Sequence, residues 1–207
     1  MAEQVTAVFD IGKTNKKFFL FDRELSLINS EVTTIPEIKD EDGFPTENLK
    51  ALVQWMIEVF NRTQTDNRFE IVALNFSGYG ASLVHLDENG KVLTPLYNYL
   101  KPYNETLAAQ FYNEYGPVKE LWKSTGSKNS GMLNSGLQLY WLKHHQPEVF
   151  GRIKYSLHLP QYLNYVFTGK AVEEYSSIGC HTALWDFGKR DYHDWVYAEG
   201  ITKLFPP

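Results

Sequence analysis

The chain has 207 residues, 43% of them apolar and 15% aromatic, enough to bury one large core or two small ones. Its net charge of −5, with no long basic run, lacks the electrostatic footprint of a nucleic-acid binder. No uninterrupted apolar run approaches the roughly 20 residues of a membrane span, the start Met1-Ala2-Glu3-Gln4 lacks the basic and apolar regions of a signal peptide, and the single Cys180 has no partner for an internal disulfide, so the expected compartment is the cytoplasm.

Val5 to Phe9 and Phe18 to Phe21 are β-prone runs on either side of a polar turn containing Gly12, which reads as a hairpin. In that turn several backbone N–H groups and the Thr14 hydroxyl can face one point, while Lys13, Lys16 and Lys17 add positive charge; such a donor set suits a phosphate. Asp10, at the strand end, is positioned to hold a hydrated divalent cation. The short D-x-G-x-T string fits an ordinary hairpin with a solvated basic turn equally well. Leu25 to Thr34 adds a third strand after the turn Asp22-Arg23-Glu24, and Ile35 to Thr46 is an acidic, proline- and glycine-bearing loop ending at a helix cap. Leu49, Leu52, Val53, Met56, Ile57 and Phe60 recur at helical spacing and predict a helix lying on a sheet. Phe69 to Phe76 predicts a buried strand returning parallel to the first.

The loop Ser77-Gly78-Tyr79-Gly80-Ala81-Ser82 then falls at the carboxyl end of a central strand, where open α/β sheets bind ligands; a plain glycine-rich connection is the alternative. Leu83 to Leu86, the turn Asp87-Glu88-Asn89-Gly90 and Val92 to Tyr99 predict another hairpin, and helices follow over Thr106 to Tyr115, Val118 to Trp122 and Leu137 to His145. His144, His145, His158, Cys180, His181 and His193 offer metal-ligand types without paired zinc spacing. The aromatic set Tyr97, Tyr99, Tyr103, Phe111, Tyr112 and Tyr115 fits core packing better than sugar stacking.

The stretch Phe9-Asp10-Ile11-Gly12-Lys13-Thr14-Asn15 resembles the first phosphate loop of the actin, sugar kinase and heat-shock-protein superfamily. Asn134-Ser135-Gly136-Leu137-Gln138-Leu139-Tyr140-Trp141, after Thr125-Gly126, resembles the first signature of the FGGY carbohydrate kinases, with Gln138 where most members carry lysine. Leu159-Pro160-Gln161-Tyr162-Leu163-Asn164-Tyr165-Val166-Phe167-Thr168-Gly169 and the stretch Glu174 to Asp186 are similar to two further segments of that family, so the resemblance runs from Val5 to about Ile201.

The resemblance implies an α/β, ribonuclease H-like (actin-like ATPase) domain, with a mixed five-stranded sheet in β-β-β-α-β order and added helices, and residues 1–207 as the family's N-terminal lobe. It implies transfer of the ATP γ-phosphoryl group to a sugar hydroxyl, with ATP and Mg2+ as cofactors. Asp10, Gly12, Lys13, Thr14, Asn15 and Lys17 match the phosphate loop, and Asp10 would meet the magnesium ion through water. On the sugar side Gly78, Tyr79, Gly80, Lys128 and Asn134 are the expected contacts, because Gly80 and Ala81 stand where relatives carry larger polar groups. The family's general-base aspartate and adenosine-binding glycines are expected beyond residue 207, in a C-terminal lobe, so this chain alone is expected to be inactive. The implied partners are a small sugar and that second lobe, with a homodimer left open and no nucleic acid or membrane. Two other readings remain: a non-catalytic sugar or nucleotide sensor of the same fold, and another ATPase or phosphatase of the superfamily.

Overall fold

The computed structural model describes residues 2–206. Strand β1 (Glu3–Ile11) buries every second residue, Val5, Ala7, Phe9 and Ile11, as the period of a strand with one covered face requires. It pairs antiparallel with β2 (Lys16–Phe21), which pairs antiparallel with β3 (Leu27–Thr33), so the expected meander is present. A two-residue pair, β4 (Ile38–Lys39) with β5 (Pro45–Thr46), folds the acidic loop back on itself. Helix α1 (Leu49–Gln64) starts at Asn48, whose side chain accepts the Ala51 N–H at 3.1 Å, two residues after the cap expected at Thr46. It buries Leu49, Leu52, Met56 and Val59 against the sheet; Ile57, expected on that face, is 38% exposed.

Strand β6 (Phe69–Gly78) returns parallel to β1, giving the order β3-β2-β1-β6. Two expectations need correction here. The main sheet has four strands among the described residues rather than five, and β6 is not buried: it forms the sheet edge, and Val72 is 53% exposed. The physical reason is that Phe9 meets Trp55 of α1 and Phe167 of a later helix, so both helices lie on the same face of the sheet. An apolar run reports hydrophobicity, not how many faces are covered.

The second expected hairpin is also only partly present. Asp87 to Lys91 forms the turn, with Gly90 at φ +77°, but β7 (Leu83–Leu86) makes a single bridge, Leu86 to Val92, before Pro95 leads the chain away. Its partner is β8 (Tyr155–His158), about seventy residues downstream, in antiparallel register Leu83 to His158 through Leu86 to Tyr155. Between them lie α2 (Glu105–Tyr115), α3 (Val118–Thr125), α4 (Ser135–His145) and α5 (Pro147–Phe150). After β8 come α6 (Leu159–Thr168), ended by Gly169 at φ +68°, then α7 (Tyr175–Gly179), the pair β9 (Trp185–Asp186) and β10 (Asp191–Tyr192), and α8 (Asp194–Ala198).

The buried side chains form two clusters. One joins the sheet to α1 and α6; the other joins α2, α3 and α4 to the segment from Ala183 to Phe205. Strand β7 is the divide, sending Val84 and Leu86 into the first and Leu83 into the second. Phe111 and Tyr97 are fully buried in the second and Tyr103, Tyr112 and Tyr115 pack against it, as core packing requires, whereas Tyr99 belongs to neither cluster and meets the ring of Tyr79. No described helix is long and apolar enough to cross a membrane.

Candidate functional site

The parallel pairing of β1 and β6 brings their carboxyl ends side by side, with Asp10 opposite Ser77 and Ile11 opposite Gly78. The Tyr79 N–H donates to the Ile11 carbonyl at 3.2 Å, so the turn after β1 and the loop after β6 share one edge of the sheet. The turn is closed by the Gly12 N–H donating to the Asn15 carbonyl at 3.0 Å. A Cβ on Gly12 would stand 3.0 Å from that same oxygen, so the tight closure favours glycine. Among the described residues nothing accepts a hydrogen bond from the backbone N–H of Lys13, Thr14 or Asn15, and the Thr14 and Asn15 side chains are exposed. The donor set needed for a phosphate is therefore available.

Strand alternation separates the lysines of this turn. Lys17 lies on the open face, opposite Asp10 in register, and donates to Asp10 Oδ2 at 3.0 Å. Lys13 is ion-paired with Glu37 at the surface. Lys16, expected to add charge to the turn, points into the covered face and is 1% exposed. It donates to the carbonyls of Gly12 (3.1 Å) and Lys13 (3.0 Å) and to Glu47 Oε2 (2.9 Å). Glu47, from the residue before the α1 cap, also accepts the Tyr79 hydroxyl at 3.1 Å. Burial first and the nearby Glu47 carboxylate second push the Tyr79 phenol far above its ordinary range, so it remains a neutral donor.

Of the sugar-side residues, Gly78 and Tyr79 lie at this edge and Gly80 is exposed beside them. A side chain at Gly78 would press on Pro160, with its Cβ 3.2 Å from the ring. Ala81 adopts φ +62°, a left-handed conformation rare for a residue with a Cβ, and its carbonyl is held by Gln138 Nε2 at 2.6 Å. Gln138 also donates to the Met132 carbonyl at 2.5 Å, so the start of α4 is tied to the loop. Asn134 does not offer the free amide expected of it. It is buried, its Oδ1 accepts the Ser130 N–H at 2.8 Å and its Nδ2 donates to the His181 carbonyl at 2.7 Å, which holds the turn before α4. Lys128 is exposed, and among the described residues no hydrogen bond or ion pair joins it to the edge.

Sequence reasoning missed Glu47, because a lone glutamate at a helix start carries no motif, and it missed a second buried chain. His158 Nε2 lies 3.0 Å from Ser135 Oγ, and its Nδ1 lies 3.0 Å from Glu173 Oε2. The order of groups is that of a nucleophile, base and carboxylate. All three side chains are buried, so the chain works as a pin between the starts of α4 and α6 and the segment after α6.

Fold and site together define an α/β lobe with two polar loops meeting at the carboxyl edge of a mixed sheet. The chain belongs to the FGGY family of carbohydrate kinases: the model of that family's N-terminal domain matches residues 5–204. Over 131 residues it is 27% identical to a rhamnulokinase from Oceanobacillus iheyensis, covering 60% of this chain and 27% of that protein. Over 218 aligned positions it is 24% identical to a xylulose kinase from Staphylococcus epidermidis, covering 100% of this chain and 41% of the other. A solved carbohydrate kinase from Novosphingobium aromaticivorans matches with a TM-score of 0.88 and 27% identity over 100% of this chain and 42% of its own. The xylulose kinase of Lactobacillus acidophilus shares the fold, with a TM-score of 0.81 and 21% identity over 98% of this chain and 41% of its own. The fold is thus the actin-like ATPase fold of these sugar kinases, and the chain spans less than half the length of the relatives it matches.

Proposed function

We propose that this chain is the first lobe of a cytoplasmic, ATP-dependent sugar kinase that moves the γ-phosphoryl group onto a hydroxyl of a monosaccharide, a ketose or a related sugar or polyol. One arrangement carries the reading: the Gly12–Asn15 turn, with the N–H groups of Lys13, Thr14 and Asn15 free and Asp10 beside it, shares the sheet edge with Gly78 and Tyr79. In this reading the N–H groups of Lys13, Thr14 and Asn15 and the Thr14 hydroxyl hold phosphate oxygens, with Lys13 and Lys17 supplying charge. Asp10 accepts hydrogen bonds from water on a magnesium ion. Bound Mg2+ and ATP supply the transferable group and neutralise the charge that develops on it. Gly78, Tyr79 and Gly80 offer backbone groups to the sugar, and Lys128 is the side chain free to reach it; Asn134 acts behind them, by holding the turn before α4. The general base and the adenosine pocket belong to a C-terminal lobe in this reading, which agrees with relatives more than twice as long as this chain.

A coupled ADP-release assay on the full-length parent protein, run against ketoses, aldoses and polyols, tests the proposal. Sugar-dependent release is expected, falling by about 100-fold or more in Asp10→Ala, the scale at which removal of one transition-state electrostatic group is felt. Residues 1–207 alone are expected to release none. Robust turnover by the isolated lobe overturns the two-lobe reading, and nucleotide binding without release on any sugar turns it into a sensor.

A further inference from the structure

Between the two loops of the proposed site lies a buried carboxylate that the transfer does not itself use. Glu47 is 2% exposed; its Oε2 accepts from both Lys16 Nζ, at 2.9 Å, and the Tyr79 hydroxyl, at 3.1 Å. Its Oε1 is also buried and has no hydrogen-bond partner among the described residues. Lys16 gives its other two protons to the carbonyls of Gly12 and Lys13, at 3.1 and 3.0 Å. An ammonium has three protons, so all three of its donors are assigned and its position follows the backbone of the turn. A continuous bonded path therefore runs from the phosphate-side turn through Lys16 and Glu47 to Tyr79 of the sugar-side loop. The path is polar and short, and its central Lys16–Glu47 link is fully buried, so a shift of the turn is passed on at that link rather than absorbed by solvent. Because one oxygen serves both donors, movement of either is felt by the other, while the unpartnered Oε1 leaves the carboxylate less constrained than a fully bonded one.

We propose that Glu47 is a positioning residue that couples the two loops, so that nucleotide phosphates seated on the Gly12–Asn15 turn raise the affinity of the Ser77–Ser82 loop for the acceptor sugar. The coupling rests on the kinase reading above. It is reciprocal by linkage, so the sugar raises nucleotide affinity by the same factor.

The test uses the full-length parent protein and the sugar that supports ADP release. The dissociation constant of a non-hydrolysable ATP analogue with Mg2+ is measured with and without saturating sugar, and that of the sugar with and without the analogue. In the wild type the two ratios agree and exceed about 5, the lower end of ordinary coupling factors. Tyr79→Phe removes only the hydroxyl and keeps the ring beside Tyr99, at 6.0 Å between centroids. It is expected to bring the ratio to within about 2-fold of unity, with nucleotide affinity in the absence of sugar unchanged and KM for the sugar raised more than kcat is lowered. Glu47→Gln is expected to do the same, and Tyr79→Phe stands as the deciding variant should Glu47→Gln fail to fold. A folded Tyr79→Phe protein with the wild-type ratio overturns the proposal, as does a wild-type ratio of one in a protein that turns over sugar; in both cases the kinase reading survives. A parent protein that releases no ADP with any sugar overturns both.

Discussion

The two clusters of buried side chains differ in composition and in what their buried ion pair is bonded to. The cluster around the sheet packs aliphatic residues and Phe9 against α1 and α6, and it encloses one ion pair, Lys16 with Glu47, at 1% and 2% side-chain exposure. The helical cluster is aromatic: Phe111 meets Tyr140 and Trp195 edge to face, both at 5.0 Å, and its buried ion pair, Lys101 with Asp40 at 2.6 Å, lies over the rings of Tyr97 and Trp141. Each cluster accepts an expensive arrangement, to a different end. A buried pair is weak evidence for stability, because desolvation offsets much of its attraction. What sets Lys16 apart is that it also donates to the carbonyls of Gly12 and Lys13, in the turn of the proposed site, whereas Lys101 ties Asp40 and Asp42 of the acidic loop to the aromatic cluster.

Removing material from each cluster is the strongest way to sharpen that contrast. Phe111→Ala is expected to cost about 3–5 kcal/mol in denaturant unfolding; a loss below about 1 kcal/mol would mean that the ring is not a core element. Lys16→Met is expected to cost a comparable amount, about 3–5 kcal/mol, because it leaves the Glu47 carboxylate buried and uncompensated. The two part company on rescue: adding Glu47→Leu to Lys16→Met removes the stranded charge and is expected to restore most of the stability. A double variant as unstable as the single one would show that packing, not charge, explains the loss.

A smaller effect probes the divide between the clusters. His85 on β7 has Nδ1 2.9 Å from Ser156 Oγ on β8, while its buried Nε2 has no partner among the described residues, and burial pushes its pKa down to about 3. The unfolded chain takes up this proton near pH 6.5, whereas the folded chain resists until far lower pH. The contribution is therefore complete above pH 6.5 and is lost as the pH falls, by about 2 kcal/mol at pH 5. His85→Gln should flatten that part of the stability curve, and an unchanged slope would place the titration elsewhere. The smallest effect is expected on the surface: Lys123→Ala, which breaks an exposed pair with Glu120 one turn away, should change stability by only about 0.2–0.5 kcal/mol.

Much of this was legible in the residues. The alternation of Val5, Ala7, Phe9 and Ile11, the Gly12 turn and the spacing of Leu49, Leu52 and Met56 predicted strand, turn and helix in the right order, because each is a local consequence of side-chain period. The turn with Asp10 stood out for the same reason: its donors lie within a few residues of one another. The helices at Thr106, Val118 and Leu137 were found within a turn of their observed starts. Other features escaped. Asn134 reads like a free amide until the carbonyl of His181, 47 residues away, is seen to take its proton. The pairing of β7 with β8 is equally remote, and nothing in the four residues Leu83 to Leu86 says which later segment completes them.

The sequence by itself determined the local elements, their order and the chemistry available at the first turn, since these depend on neighbours in the chain. Only the tertiary structure decided which lysine of that turn is buried and which faces the open sheet, that Glu47 bridges Lys16 and Tyr79, and that both covering helices lie on one face. Those outcomes depend on burial and on partners distant in sequence: a charge is tolerated inside only where another chain segment supplies its counter-charge, and that segment is known only once the chain has folded.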